Sequence, residues 1–259
     1  MHGNKVLYDK LFDFSIKNKI SHIIIGGDIC PHIRMGLNEG INLQREFIEK
    51  FLFPYFKKLK ENGIKAYIIM GNDDFGINVD LLDKADKEGL VNHIHNKSVE
   101  VNDFNLVGYS FVSELPFLLK DWEKMDNNFS KPLTKPDDDI RTVEKEEGTI
   151  EEDMEHLKKL SDTKKTIYSI HVPPFNTKLD KIGRNKHVGS VSVRLFIEKE
   201  QPLLTLHGHI HESYEISGAW KEKIGKTICI NPGSDHINSV LHLVVIDLEN
   251  LKDMEFFEV

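Results

Sequence analysis

The chain has 259 residues, which is enough to bury a substantial core in one large domain or two small ones. Hydrophobic residues make up 39% and charged residues 29%, as in ordinary globular proteins, and no apolar run approaches the roughly 20 residues of a membrane helix. The net charge of −8 disfavours a dedicated nucleic-acid binder, because such proteins usually carry a basic footprint.

Short apolar, β-branched runs alternate with helical patterns over the first 209 residues. The runs cover residues 22–28, 65–72, 166–171 and 203–209, and the helical patterns cover 43–62, 79–87, 150–160 and 192–200. Strands that are buried on both faces have such continuous apolar runs. The alternation therefore predicts an α/β layered sheet.

Two further regions differ from this pattern. From residue 227 onward, the runs 228–230, 241–246 and 254–257 resemble meander strands, which predicts a second sheet packed on the first. Residues 113–145 are irregular, and we interpret them as a surface insertion that acts as a lid or as a loop without function. The two cysteines, Cys30 and Cys229, form no CxxC pair, and the N-terminus lacks the apolar core of a signal peptide. A reducing, cytoplasmic setting is expected.

Polar residues end each of the four predicted strands. They are Asp28, Asn72, His171 and His209. Open α/β sheets bind ligands at this edge, so we expect the four side chains to converge. Each signal is weak alone, because Gly-Asp turns are common and Asn72 could belong to a turn or a helix cap.

The segment His207-Gly208-His209-Ile210-His211 is the sharpest local signal. Histidines two residues apart beyond a strand can reach neighbouring metal ions, and three within five residues favour metal binding. His207 still belongs to the strand, so we expect it to support the site or to pack rather than to bind metal.

The blocks Gly27-Asp28, Gly71-Asn72-Asp73-Asp74, His171 and Gly208-His209-Ile210-His211 occur in an order that resembles the calcineurin-like metallophosphoesterase family. The stretch 187–211 resembles the small prokaryotic branch of that family. The resemblance covers nearly the whole chain and extends to the Asn-Pro-Gly-Ser turn at 231–234. It implies a single domain over 1–259 and a four-layer α-β-β-α sandwich. In that fold two mixed sheets pack together, with the metal site at the C-terminal ends of their strands.

The resemblance also implies the cofactors and the role of each ligand. Asp28 bridges two divalent cations, for which Mn, Fe, Ni, Co and Zn all suit the nitrogen and oxygen donors. Asn72, His171 and His209 complete the second site, whereas His2 and His211 serve the first. A metal-bridging hydroxide would attack the phosphorus of a small phosphate monoester or diester.

Two departures from the family pattern concern the first metal site and the leaving group. Asp73 stands where the family has a histidine near the leaving group, while Asp74 matches an acidic position that orients its neighbours or caps a helix. Met1-His2-Gly3-Asn4 resembles the end of the family's D-x-H-G-N block without its Asp. We expect an upstream strand to supply that Asp; otherwise the first site binds metal weakly.

Two other functions remain open at this stage. A metal-poor scaffold for protein binding would explain both departures, and a nuclease would share the metal site, although the acidic charge disfavours it. Arg184 and His187 are candidates for binding the substrate phosphate.

Overall fold

The computed structural model describes residues 1–32, 36–251 and 253–259. The helices are α1 (Lys5–Lys17), α2 (Leu37–Phe47), α3 (Phe53–Glu61), α4 (Val79–Lys87), α5 (Ile150–Leu157), α6 (Val191–Glu200) and α7 (Ser213–Ser217). The strands are β1 (His22–Gly26), β2 (Lys65–Ile69), β3 (Asn92–His93), β4 (Ser98–Val101), β5 (Phe104–Tyr109), β6 (Thr166–Ile170), β7 (Lys181–Ile182), β8 (Lys186–His187), β9 (Leu204–Leu206), β10 (Lys221–Ile224), β11 (Thr227–Ile230), β12 (His242–Ile246) and β13 (Met254–Glu258). None of the described helices is both long and apolar enough to cross a membrane.

The strands form two main sheets. The first has the order β1-β2-β3, and both of its pairings are parallel. The second has the order β10-β11-β9-β6-β5-β4, with parallel pairing in its centre and an antiparallel pair at each edge. Two hairpins, β7-β8 and β12-β13, complete the pairings.

The sheets pack face to face, and helices cover their outer faces. One apolar cluster lies between the sheets and includes Ile69, Leu106, Ile167 and Leu204. The other cluster joins the outer faces to the helices, for example through Phe56. The predicted α/β class with two packed sheets is therefore confirmed.

The helical region around residue 50 differs from the single helix predicted over 43–62. The structure has α2, then a π-helical turn over Ile48–Leu52, then α3. Pro54 occupies the first turn of α3 and has no backbone N–H to donate to the preceding turn. The wider turn accommodates the proline without ending the helical course of the chain.

The C-terminal strands are arranged differently from the predicted meander. β11 joins the second sheet between β9 and β10, parallel to β9. β12 and β13 pair with each other and, among the described residues, with neither main sheet. Helix α1 and strands β4 and β5 had no counterpart in the prediction.

Residues 113–145 contain a short helical turn at Pro136–Asp138 and isolated bridges, but no longer regular element. The start of this segment is firmly packed. Lys120 is fully buried and pairs with Glu123 at 2.5 Å. The Trp122 indole donates a hydrogen bond to the carbonyl of Asp74 at 2.9 Å. Farther along, Phe129 is 93% exposed, so the outer part of the segment faces solvent.

Candidate metal centre

The candidate site lies at the edge where the C-terminal ends of strands from both sheets meet. Asp28 follows β1 and Asn72 follows β2 in the first sheet, whereas His171 follows β6 and His209 follows β9 in the second. The structure thus brings together the four strand-end residues that the sequence singled out. Because each sheet contributes two of them, the site depends on the packing of one sheet against the other.

Three residues of the site have a left-handed backbone that non-glycine residues rarely adopt. The φ angles are 47° at His2, 50° at Asp28 and 62° at His209. Such conformations cost about 1–3 kcal/mol each and concentrate at functional sites, where the surroundings hold them in place. Their position in one cluster is an independent indication of function.

Asn72, His171 and His209 point their polar atoms at one another. The Asn72 Oδ1 lies 2.6 Å from His209 Nδ1 and 3.3 Å from His171 Nε2, which in turn lies 3.2 Å from Asp28 Oδ2. The Asn72 amide nitrogen donates to Asp73 Oδ1 at 3.1 Å, which orients the amide oxygen toward the histidines.

Backbone atoms fix the orientation of His171. Its Nδ1 donates to the carbonyl of Gly26 at 2.5 Å, so Nε2 is the ring nitrogen that faces Asp28 and Asn72. A second hydrogen bond of this kind sets the tautomer of metal-binding histidines. A Cβ on Gly27 or Gly71 would come closer than 3.0 Å to the His171 ring, so the backbone reaches the ring only where glycine stands.

His2 and His211 form the other half of the cluster. Their Nε2 atoms lie 2.8 Å apart, and each lies close to Asp28 Oδ2, at 3.7 Å for His2 and 3.8 Å for His211. The His2 Nδ1 lies 3.2 Å from Asp73 Oδ2. Asp28 therefore stands between this pair of histidines and His171.

Two more histidines reach the site, and the sequence reasoning missed both. The His236 ring lies 4.2 Å from that of His2 and 5.1 Å from that of His211, measured between centroids. Exposed His32 lies 3.0 Å from Asp73 Oδ2 through its Nδ1. His236 follows the Asn-Pro-Gly-Ser turn closely, and that proximity was the one available signal.

Loss of hydration keeps several of these rings neutral near pH 7. It lowers the pKa of His209 to about 3, with nearby His171 as a further cause. Loss of hydration and the neighbouring His2 lower the pKa of His236 to about 4, and burial lowers the pKa of His2 as well. Burial opposes ionisation of Asp28, but His171 and the other histidines bring its pKa well below the usual range.

Comparison with known proteins agrees with this arrangement. The family model described as calcineurin-like phosphoesterase matches residues 1–213. The chain belongs to that family. Its members are metal-dependent phosphoester hydrolases and typically hold two metal ions.

Two solved structures share the fold of this chain at low sequence identity. A crystal structure of TT1561 of Thermus thermophilus is 16% identical with a TM-score of 0.62, over 99% of this chain and 94% of that one. Another crystal structure is 17% identical with a TM-score of 0.61, over 97% and 93% of the two chains. No curated protein matches significantly.

The donor set of this phosphoesterase fits divalent cations. Two groups of three residues have donor atoms that lie mutually within 4.8 Å, namely His2-His211-His236 and His2-Asp28-Asp73. The buried His236 Nδ1 has no hydrogen-bond partner among the described residues. Neutral imidazoles, carboxylates and an amide oxygen together suit Mn, Fe, Ni, Co or Zn.

Asp74 connects the two loops of the first sheet that enter the site. Its buried carboxylate accepts hydrogen bonds from the backbone N–H groups of Ile29 at 3.1 Å, Cys30 at 2.8 Å and Gly71 at 2.9 Å. Burial, together with the charge of Asp28, raises the pKa of Asp74 to about 7. It therefore holds the loop after β1 against the loop after β2 and caps no helix of the described part of the chain.

The remaining predicted residues lie outside the cluster. Arg184 is exposed in the β7-β8 turn, beside α7. The His187 Nδ1 lies 2.7 Å from Asp180 Oδ1. Their contact with substrate stays a prediction. The His207 Nδ1 hydrogen-bonds to the carbonyls of Ile170 and Val172, and its Nε2 hydrogen-bonds with the Thr205 hydroxyl. Both ring nitrogens therefore have protein partners.

Proposed function

We propose that this chain hydrolyses small phosphate monoesters or diesters with two divalent cations bound at the candidate metal centre. The observation that supports it is the convergence of Asp28, Asn72, His171 and His209 from the ends of two packed sheets. Bound cations would activate water and withdraw charge from the phosphoryl oxygens.

The two halves of the cluster would hold one cation each. Asn72 Oδ1, His171 Nε2 and His209 Nδ1 form the second site together with Asp28. His2 and His211 form the first site, and the carboxylate of Asp28 serves both because it lies between them.

Two residues outside the family pattern can strengthen the first site. Asp73 offers a carboxylate oxygen beside His2, and His236 offers a ring nitrogen beside His2 and His211. Each would add a donor atom to the half of the cluster that contains His2. We therefore assign both as additional ligands of the first cation.

His32 would take over the proton transfer that the family assigns to a histidine at the position of Asp73. Its ring is 54% exposed and is oriented by the Asp73 carboxylate at 3.0 Å. A carboxylate that bonds one ring nitrogen leaves the other nitrogen free to donate a proton. His32 is thus placed to protonate the departing oxygen at the edge of the site.

Metal content and hydrolysis test the main proposal. The purified chain is reconstituted with Mn²⁺ and assayed with p-nitrophenyl phosphate and bis-p-nitrophenyl phosphate. Asp28→Asn and His209→Gln should each lower kcat/KM by at least about 100-fold, since they remove donors at the reacting centre. His156→Gln, a change outside the cluster, should retain wild-type activity. If the protein binds no metal and hydrolyses neither ester, the result would instead support the alternative of a metal-poor scaffold for protein binding.

The leaving-group role of His32 has its own test. His32→Gln should slow hydrolysis of an alkyl phosphate by roughly 10²-fold, because an alkoxide needs a proton as it leaves. The same variant should hydrolyse p-nitrophenyl phosphate at nearly the wild-type rate, since p-nitrophenolate leaves unprotonated. Equal losses on both esters would exclude proton donation by His32.

A further inference from the structure

The segment 178–187, which contains the β7-β8 hairpin, concentrates positive charge on a chain whose net charge is −8. Asp180 is its single acidic residue, whereas five of the ten residues are basic, namely Lys178, Lys181, Arg184, Lys186 and His187. Asp180 is fully buried and pairs with His187 at 2.7 Å. Among the described residues that contact is the only ion pair of the segment, so its lysines and Arg184 have no carboxylate partner.

Hydrogen bonds to Asp180 fix the shape of the hairpin. Its carboxylate accepts from the backbone N–H groups of Asn176 at 3.1 Å, Thr177 at 2.9 Å and Gly189 at 3.0 Å, which lie on both sides of the hairpin. Lys181 and His187 are paired across the two antiparallel strands. Side chains of such a pair lie on the same face. Two basic groups are thus held side by side, an arrangement that favours an anion between them.

The base of the hairpin is attached to the loop that carries metal-binding histidines. The Asn231 side-chain nitrogen lies 3.0 Å from the carbonyl oxygen of Leu179 and 3.1 Å from those of Gly208 and Ile210. The latter two residues flank the proposed ligand His209. The hairpin also contacts α7, the helix that follows the same loop. A phosphate ester bound at the candidate metal centre would therefore have the hairpin beside it.

We propose that the β7-β8 hairpin binds a second phosphate group of the substrate, while the candidate metal centre holds the phosphate that is cleaved. Lys181, Arg184 and His187 supply the contacts, and the planar guanidinium of Arg184 suits the geometry of phosphate oxygens. The oxygen of water bonds to the first phosphorus, the ester P–O bond breaks, and the leaving oxygen takes a proton. The second phosphate is not cleaved. This inference rests on the proposed hydrolysis and names the substrate class, small esters with two phosphate groups.

The limited extent of the basic surface favours a small ester over a long polyanion. Exposed Glu212 and Glu215 lie at the start of α7 and within it, and this helix contacts the hairpin. A nucleic-acid strand needs basic residues along a series of phosphates, and these carboxylates would oppose it. The two phosphate groups of a small molecule need only the hairpin and the metal centre.

Paired substrates test the proposal. The Mn²⁺-loaded protein is assayed for initial rates of phosphate release from the bisphosphates of straight-chain diols, from ethylene glycol to hexanediol, and from the corresponding monophosphates. For the best-fitting chain length, kcat/KM for the bisphosphate should exceed that for the monophosphate by at least about 10-fold, since charge-assisted hydrogen bonds hold the second phosphate.

Two double variants locate the source of this preference. Lys181→Gln with Arg184→Gln should lower the ratio of the two kcat/KM values by about 10-fold, because the second phosphate loses charged donors. Lys60→Gln with Lys87→Gln is the matched control. It also removes two exposed positive charges, but these lie shortly before the starts of β2 and β3, at the opposite edge of the sheet from the metal centre. This control should keep the wild-type ratio.

The outcomes separate this inference from the proposed hydrolysis. A loss of preference that is confined to the hairpin variant supports it. A wild-type chain that hydrolyses the monophosphates and prefers no bisphosphate would overturn the role of the hairpin alone. Equal losses in both double variants would overturn it as well, because they would indicate a general effect of charge. A chain that hydrolyses neither class of ester would overturn the proposed hydrolysis and this inference with it.

Discussion

Gly71 stands directly against the side chains of Asp28 and His171. A Cβ at this position would approach atoms of both residues more closely than 3.0 Å, and they are held by the Gly26 carbonyl and by the loop after β1. The restriction comes from space alone, because no positive φ is recorded for Gly71. The sequence shows the glycine but cannot show which side chains it faces.

Gly71→Ala should displace Asp28 or His171 and weaken metal binding by roughly 10–100-fold, comparable to the loss of a supporting contact. Isothermal titration with Mn²⁺ measures the affinity. Gly183→Ala is the matched control, since a Cβ there meets nothing within 4 Å. Equal affinities for the two variants would contradict the steric argument.

At the scale of elements, Asp126 attaches the 113–145 segment to the start of α6. Its carboxylate accepts hydrogen bonds from the N–H groups of Val191 at 2.9 Å and Ser192 at 3.1 Å, and from the Ser190 hydroxyl. These N–H groups belong to the first turn of the helix. Backbone N–H groups in that turn have no hydrogen-bond acceptors within the helix itself.

Asp126→Ala should lower the free energy of unfolding by about 1–3 kcal/mol, because it leaves the buried Ser190 hydroxyl and the buried N–H of Ser192 without this acceptor. Urea unfolding followed by circular dichroism measures the change. Asp137→Ala, an exposed change in the same segment, should stay within about 0.5 kcal/mol of the wild type. If Asp126→Ala lowered the free energy of unfolding as little as Asp137→Ala, the hydrogen bonds of Asp126 would contribute little to stability.

The elements that the sequence predicted well are those with long apolar runs or helical periodicity. β1, β2, β6 and β9 lie within the predicted runs, and α4 has the predicted bounds. The pairing of β11 with β9 was not predictable, because the order of strands in a sheet is set by tertiary packing and leaves no local pattern in the sequence. The positions of His32 and His236 beside the cluster arise from loop geometry, for which a single sequence gives no periodic signal.

At the scale of the whole molecule, a cation in the second site would connect the two sheets. Asp28 and Asn72 belong to one sheet, and His171 and His209 to the other. A ligand that binds only the folded chain stabilises it by about 2.7 kcal/mol at 100 times its Kd.

Saturating Mn²⁺ should therefore raise the melting temperature of the metal-free protein by about 5–10 °C. Differential scanning calorimetry after chelation and after reloading measures the shift. His209→Gln should lose most of it, whereas His156→Gln should keep it. A melting temperature that does not respond to the metal would contradict a cation held between the sheets.

The separation of the ligands along the chain has a consequence for biogenesis. His2 and His211, whose Nε2 atoms lie 2.8 Å apart, are 209 positions apart in sequence. A nascent chain shorter than 211 residues contains only part of the donor set. Most of the polypeptide must therefore be synthesised and leave the ribosome before the cluster can assemble. Contacts of such long range also slow folding, because the loop between them must first be closed. In the proposed two-cation centre, the full donor set is therefore available only when synthesis is nearly complete, and translation products that end before residue 211 would lack part of it.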